Sequence, residues 1–296
     1  MKAKAGLTRR QYLAGAGATL ATGALPWGTL AHAAPTPFGD VDLAVFNPFG
    51  PQKHYHEFLR SIFFDPAKSK QLAEFLWRSF QAQQRFELGE WAMPAVFIWW
   101  RTLESRRERV KVSAAGRKMA SQIQKLDPSH PAGPLWMAIF AGTEALSRGV
   151  LESLHLVPEL TKNLERATSN AIDYFHGLGI LVNAKLYAKV PGFPMSVGDI
   201  DKAMALFEQG KSFQQGVFAL WYLFRAEAEL QHSGKEAAFA WLDRMQQEVE
   251  PVDVTTAYLY ETSLYDAKIF RQKVESDNYD RYRWDPLLTV PQPSRS

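Results

Sequence analysis

Two histidines one residue apart, His54-Tyr55-His56, followed by Glu57, form the one clustered set of metal-ligating residue types in this 296-residue chain. In an extended segment alternate side chains point the same way, so His54 and His56 could share an ion. Imidazole nitrogen suits zinc or copper. A site needs at least three ligands, and nothing adjacent supplies them unless His130, His155 or His176 folds close by. The plainer reading is two surface histidines near the start of a domain. A metal-dependent enzyme built on His54 and His56 therefore ranks third among the functions considered below.

Other residues could bind rather than react. Trp99 and Trp100 are neighbours, and adjacent helical positions lie about 100° apart, so both cannot face one core. One of them is expected to meet another helix or to line a groove, where a tryptophan anchors a partner or an apolar ligand. Lys189 to Val197 carries Pro191, Gly192 and Pro194, which exclude helix, together with the apolar Phe193 and Met195. Either this loop packs back over its own repeat or it projects Phe193 and Met195 into a binding groove. Arg101, Arg106, Arg107, Arg109, Lys111, Arg117 and Lys118 are interleaved with Glu104 and Glu108, which reads as a solvated helix face laced with ion pairs. Docking of an acidic partner or of anionic headgroups is the functional alternative. Nothing in the spacing pairs two carboxylates for acid–base work. No phosphate-binding glycine loop, nucleophile elbow, HExxH or haem-attachment motif follows the first 33 residues. No catalytic residue and no cofactor are expected.

The elements that would position these residues are helical. Leu72, Phe75, Leu76 and Phe80 recur with the helical period after Asp65-Pro66, a cap followed by a first-turn proline. Ala115, Met119, Ile123 and Leu126 do the same up to Asp127-Pro128, and Leu135, Ile139, Gly142 and Leu146 follow Pro131 and Pro134. Ile200 to Phe207, Val217 to Phe224, Ala238 to Val249 and Tyr260 to Val274 continue the series. No segment alternates with period two, so the fold class is all-α. Residues 34–64 read as an extended, surface-lying arm, 65–276 as the helical domain and 277–296 as an irregular tail whose last six residues should be disordered.

The first 33 residues have a different character. Lys2, Lys4, Arg9 and Arg10 make a basic start without acids, an Ala/Gly-rich apolar stretch runs from Tyr12 to Leu25, and Ala31-His32-Ala33 offers a small-x-small cleavage site. Thr8-Arg9-Arg10-Gln11-Tyr12-Leu13 is similar to the twin-arginine export consensus, with Tyr in place of the usual Phe. Cleavage after Ala33 and a periplasmic location are the expectations. Removal of residues 1–33 takes four of the 34 basic residues and none of the 31 acidic ones, leaving a net charge of −1. The remaining chain thus gives no support to a nucleic-acid partner. The absence of cysteine fits an oxidising compartment and excludes disulfides and thiolate metal sites. No apolar run after the signal reaches membrane-spanning length.

The helices suggest two-helix repeats. Phe175, Leu178-Gly179 and Val182 fall where a tetratricopeptide (TPR) unit places W-x2-L-G-x2-Y, and Ala203 with Phe207 fits its second helix. Val217–His232 and Lys235–Val249 repeat the layout. The expected architecture is a TPR-like array of antiparallel helix pairs, a right-handed α-solenoid of degenerate repeats. Leu126-Asp127-Pro128-Ser129-His130-Pro131, Trp136, Ala138, Gly142 and Gly149, then Leu164-Glu165-Arg166-Ala167, Leu178-Gly179, Tyr187 and Lys202-Ala203 resemble the TPR-like core of the regulator of microtubule dynamics family. The same stretch is similar to the periplasmic T component of TRAP transporters. The resemblance implies a fold and an interaction habit. The leading expectation is a non-catalytic periplasmic scaffold for a protein or peptide partner. The alternative is a ligand-handling accessory of a TRAP-type transporter, with a small apolar ligand in an aromatic-lined cavity. An enclosed cavity would favour the second and an open groove the first.

Overall fold

The computed structural model describes residues 47–50 and 58–292. The expected export signal, with Arg9, Arg10 and the expected cleavage site after Ala33, lies outside the described residues, as do His54 and His56. Val45–Ser296 packs as one compact unit. Among the described residues it is all-α, an array of helix pairs without a named strand.

A short π-helical turn, Leu59–Phe63, leads into α1 (Pro66–Gln83), α2 (Phe86–Thr102), α3 (Arg106–Leu126) and α4 (Ala132–Arg148). A 3-10 turn at Leu151–Leu156 precedes α5 (Val157–Asn170) and α6 (Tyr174–Lys189). Then come α7 (Ile200–Gln214), α8 (Ala219–His232), α9 (Lys235–Glu248) and α10 (Val254–Glu275), with a last 3-10 turn at Pro286–Leu288.

Local sequence sets these boundaries. The Asp65 carboxylate accepts from Ala67 N and Lys68 N at 2.8 and 3.0 Å and Pro66 takes the first helical position, so α1 starts where a donor would otherwise be orphaned. Asp199 caps α7 through Lys202 N, and Asp253 with Thr256 forms a reciprocal capping box at α10. Pro94 sits inside α2, where its ring removes one backbone bond of the helix.

The pairs α1/α2, α3/α4, α6/α7 and α8/α9 pack along their lengths, and α5 lies on α4. The small-residue rule of the repeat holds where it is testable. Ala203 and Phe207 on α7, and Ala238 and Leu242 on α9, are buried against the preceding helix. Helices α4, α6, α8 and α10 also touch in succession, which makes the even-numbered helices an inner layer.

Three expectations need correction. Phe58, Ile62 and Phe63, assigned to the extended arm, are helical and buried. Pro48 and Gly50 are likewise buried, their carbonyls accepting from Thr255 N and Val254 N at 3.0 Å each. Arg101 and Arg109, assigned to a solvated face, are 0 % and 2 % exposed. The tail is irregular as expected, with Asp285, Pro286 and Leu287 buried, but Pro291, assigned to the disordered end, is buried too. Buried charge at Arg101 and Arg109 and the packed tail have one cause, described next.

Candidate functional site

The inner helices line a partly open cavity of about 130 Å³ with an almost wholly apolar wall. Pro94, Phe97 and Ile98 come from α2, and Trp136, Ile139, Gly142 and Ala145 from α4. Leu160 comes from α5, Leu178 and Val182 from α6, Leu220 and Phe224 from α8, and Tyr258 and Leu259 from α10. The odd-numbered outer helices α1, α3, α7 and α9 contribute none of these. The reason lies in residue size. On α4 the inward positions carry Gly142 and Ala145, so no side chain fills the space that Leu or Phe would occupy. A comparable engineered cavity, roughly 150 Å³ and lined by aliphatic and aromatic groups, stays dry and takes a benzene-sized guest. Ser153 Oγ, buried in the wall, has no hydrogen-bond partner among the described residues.

One end of the cavity is ionic. Lys185 and Lys189, one turn apart on α6, are its only charged wall residues among those described. Asp285 Oδ2 lies 2.8 Å from Lys185 Nζ and 2.9 Å from Lys189 Nζ. Glu227, on α8, pairs with Lys185 and stands 3.3 Å from Lys189 Nζ. Tyr279 donates its hydroxyl to Glu227 at 3.1 Å, and Lys189 donates to the Trp284 carbonyl at 2.8 Å. All four charges are close to fully buried, a costly arrangement that survives because each is paired and hydrogen-bonded. Burial pushes the Asp285 carboxyl up, but Lys185 and Lys189 outweigh it and hold the group well below the ordinary carboxylate range. Burial likewise works against the Lys185 ammonium, and Asp285 and Glu227 hold it above the ordinary lysine value.

A second set of buried charges holds the same tail. Arg101 donates to Asp266 Oδ2 at 2.7 Å and to the Pro286 carbonyl at 3.3 Å. Arg109 donates to the Leu103 carbonyl at 2.6 Å and to the Leu288 carbonyl at 2.9 Å. Its guanidinium lies over the Trp100 ring at 5.0 Å. Burial, with the neighbouring Arg101, lowers Arg109 to about 10, and burial raises Asp266 to about 6 despite its partner. Thr289 donates its hydroxyl to Asp266. The segment Trp284–Thr289 is therefore a strap clamped at the Trp284, Pro286 and Leu288 carbonyls and the Asp285 carboxylate, and Leu287 forms part of the cavity wall.

The entry to α6 is bent out of shape. Phe175, His176 and Gly177 hold successive left-handed conformations, at φ 48°, 54° and 68°. Gly177 carries this without penalty, whereas the two other residues cost about 1–2 kcal/mol each. Compensation comes from Gln214 Nε2 donating to the Gly177 carbonyl at 2.8 Å and from His176 Nε2 at 3.0 Å from Asp253 Oδ2. Phe175 meets Phe49 edge-on at 5.0 Å and Phe218 at 5.9 Å, which closes the cavity on that side. Nearby, Tyr174 donates to Glu90 at 2.5 Å, and burial raises both groups.

The residues singled out from sequence lie elsewhere. Trp100 is fully buried and stacks on Phe97 at 5.9 Å, while Trp99 is half-buried beside Lys70. Neither lines the cavity; Phe97, Ile98 and Trp136 do. Phe193 and Met195 are 93 % and 63 % exposed. Their loop neither packs back on its repeat nor enters the cavity. It stands out as a pinched finger, with Gly192 bridged to Gly198 and Asp199 N donating to the Tyr187 carbonyl at 3.0 Å. His130 meets Phe86 and Tyr174 edge-on, His155 is exposed, and His176 is engaged by Asp253. No group of three or more metal-ligating side chains exists among the described residues. Lys185, Lys189, Glu227 and Asp285 gave no sequence signal, because their separations of up to 100 residues carry no period.

Geometry thus defines a class: an all-α helix-pair array whose inner layer lines a partly open apolar cavity with a neutralised ionic end. No protein-family model and no curated protein matches the chain. Among the described residues no helix is long and apolar enough to cross a membrane.

Proposed function

We propose that the chain is a non-catalytic periplasmic ligand-handling protein that holds a small apolar molecule between its inner helices. The observation that carries this is the apolar cavity, partly open, between the inner helices. Burying an apolar guest there gains roughly 25 cal/mol per Å² of surface removed from water, and the wall away from its Lys185 and Lys189 end is almost wholly apolar. Similarity to the T component of TRAP transporters, expected from the motifs between Leu126 and Ala203, agrees with a transport accessory. The twin-arginine signal supplies the location.

A scaffold for a protein partner is the second reading. Its support is the finger bearing Phe193 and Met195, two large apolar side chains that both stand exposed to solvent.

Native mass spectrometry on protein released gently from its own periplasm separates the two. The expected result is an added mass of a small molecule, and renewed uptake of octanol after the ligand is stripped. A bare chain that also ignores octanol would overturn the ligand reading. A co-purifying polypeptide lost in Phe193→Ser would establish the scaffold instead.

A further inference from the structure

The ionic end of the cavity has an uneven construction. Lys185, Lys189 and Glu227 are fixed on helices α6 and α8, so the two wall cations have one permanent anion, Glu227, paired with them. The second anion, Asp285, arrives on the strap, which has no helix of its own beyond the short turn Pro286–Leu288. Without Asp285 the wall would carry one uncompensated buried positive charge, beside an apolar space. Such a wall is an anion site attached to a hydrocarbon site. Two residues beyond the carboxylate, Leu287 places its side chain in the cavity wall. Asp285 and Leu287 together present a carboxylate on two ammonium groups and an aliphatic group in the apolar space.

We propose that the ligand is a single-chain aliphatic carboxylate whose head binds Lys185 and Lys189, and that the strap carrying Asp285 is a resident stand-in which this ligand displaces. The inference rests on the ligand-handling reading and gives it a chemical class. Charge balance favours a carboxylate over a neutral guest once Asp285 withdraws, because only an anion restores two against two. A dianion would overshoot, and a cation would meet both lysines. Displacement also explains why the tail is held through backbone carbonyls by Arg101, Arg109 and Lys189. Those bonds can be exchanged for water, and of the apolar contacts that displacement gives up, Leu287 in the wall and Trp284 on Phe270, the first is replaced by the ligand's own chain.

The test uses the full-length mature protein and two probes of equal length, octanoate and octanol, titrated by calorimetry at neutral pH. Wild type is expected to bind octanol at least as well as octanoate. In Asp285→Asn, octanoate should tighten by roughly tenfold or more while octanol changes little. The double variant Asp285→Asn with Lys189→Met restores charge balance and should lose that gain. If octanol binds both proteins and octanoate gains nothing in Asp285→Asn, the carboxylate inference is overturned and the ligand reading stands. If neither probe binds either protein, both fall. Should Asp285→Asn not fold, hydrogen exchange on wild type decides: octanoate, and not octanol, must speed exchange at Leu287–Thr289, and unchanged exchange refutes displacement.

Discussion

Replacing Arg109 with methionine should loosen the strap while leaving the helix array intact. Methionine keeps most of the apolar stem that packs on Trp100 and removes the donors. Two carbonyls then lose a charged partner, Leu103 at 2.6 Å and Leu288 at 2.9 Å, and only the second belongs to the strap. A hydrogen bond from a charged donor contributes about 1.5–3 kcal/mol. Part of that is offset because burial already disfavours the charged guanidinium, as its fall to about 10 records. The net loss to the strap is about 2 kcal/mol, which is roughly a 30-fold faster local opening. Hydrogen exchange reads this directly, since Leu287 N, Leu288 N and Thr289 N all donate within the strap. The amides of α7 and α8, tied by Trp221 Nε1 donating to the Phe207 carbonyl at 3.1 Å, serve as the reference. Equal acceleration in strap and reference would mean that Arg109 supports the whole fold. No acceleration in the strap would mean that apolar packing of Trp284 and Leu287 alone holds it, and the clamp argument would fail.

Two further outcomes follow from packing and titration. At Gly116 on α3 an added Cβ would stand 2.6 Å from Phe140 Cγ on α4, so Gly116→Ala should cost about 1–3 kcal/mol and lower Tm by several degrees, measured by thermal unfolding. The pH dependence of Asp285 has a definite sign. Its folded-state carboxyl lies below the ordinary value, so its contribution is complete above an unfolded value of about 4 and is lost as pH falls below that. The stability gap between wild type and Asp285→Asn in urea should be level above about pH 7 and close below about pH 4. Asp266, raised to about 6 by burial with the Asp285 charge among the causes, acts in the opposite sense between pH 6 and 4, and Asp285→Asn lessens that effect. A gap that widens below about pH 4 would reverse the assignment.

The helix pairs were legible because their signals are local. Asp65-Pro66 and Asp199 mark helix starts within four residues, and Ala203 with Phe207 or Ala238 with Leu242 shows the buried face within a turn. The angular argument at Trp99-Trp100 was equally local: one ring lies in the core and the other does not. The site was illegible for the opposite reason. Arg101 and Arg109 sit among charges at three- and four-residue spacing, as a solvated face would. What buries them are partners 165 residues away at Asp266 and 179 away at Leu288. The tail has no period, so it reads as loose, yet long-range bonds to arginine and lysine order it. The Phe193–Met195 loop was marked by its prolines as non-helical, but no local feature says that it points to solvent.

The cavity raises a different question, because empty space in a packed interior is a cost that a sequence can remove by enlarging one side chain. Gly142 is the place to ask it. An added Cβ there meets one neighbour within 4 Å, Leu160 Cδ1 at 3.7 Å, and the glycine lies within α4. Helix propensity alone favours a larger residue over glycine by up to about 1 kcal/mol, and filling apolar space adds to that. Gly142→Leu should therefore raise stability by about 1–2 kcal/mol and abolish octanol binding. That pairing of gain and loss is what distinguishes a cavity kept open for a guest from one left by imperfect packing. Calorimetry and urea unfolding on the same variant decide it. A Gly142→Leu protein that is destabilised would mean the neighbouring helices already fill the space. One that is stabilised and still binds octanol would move the guest away from α4.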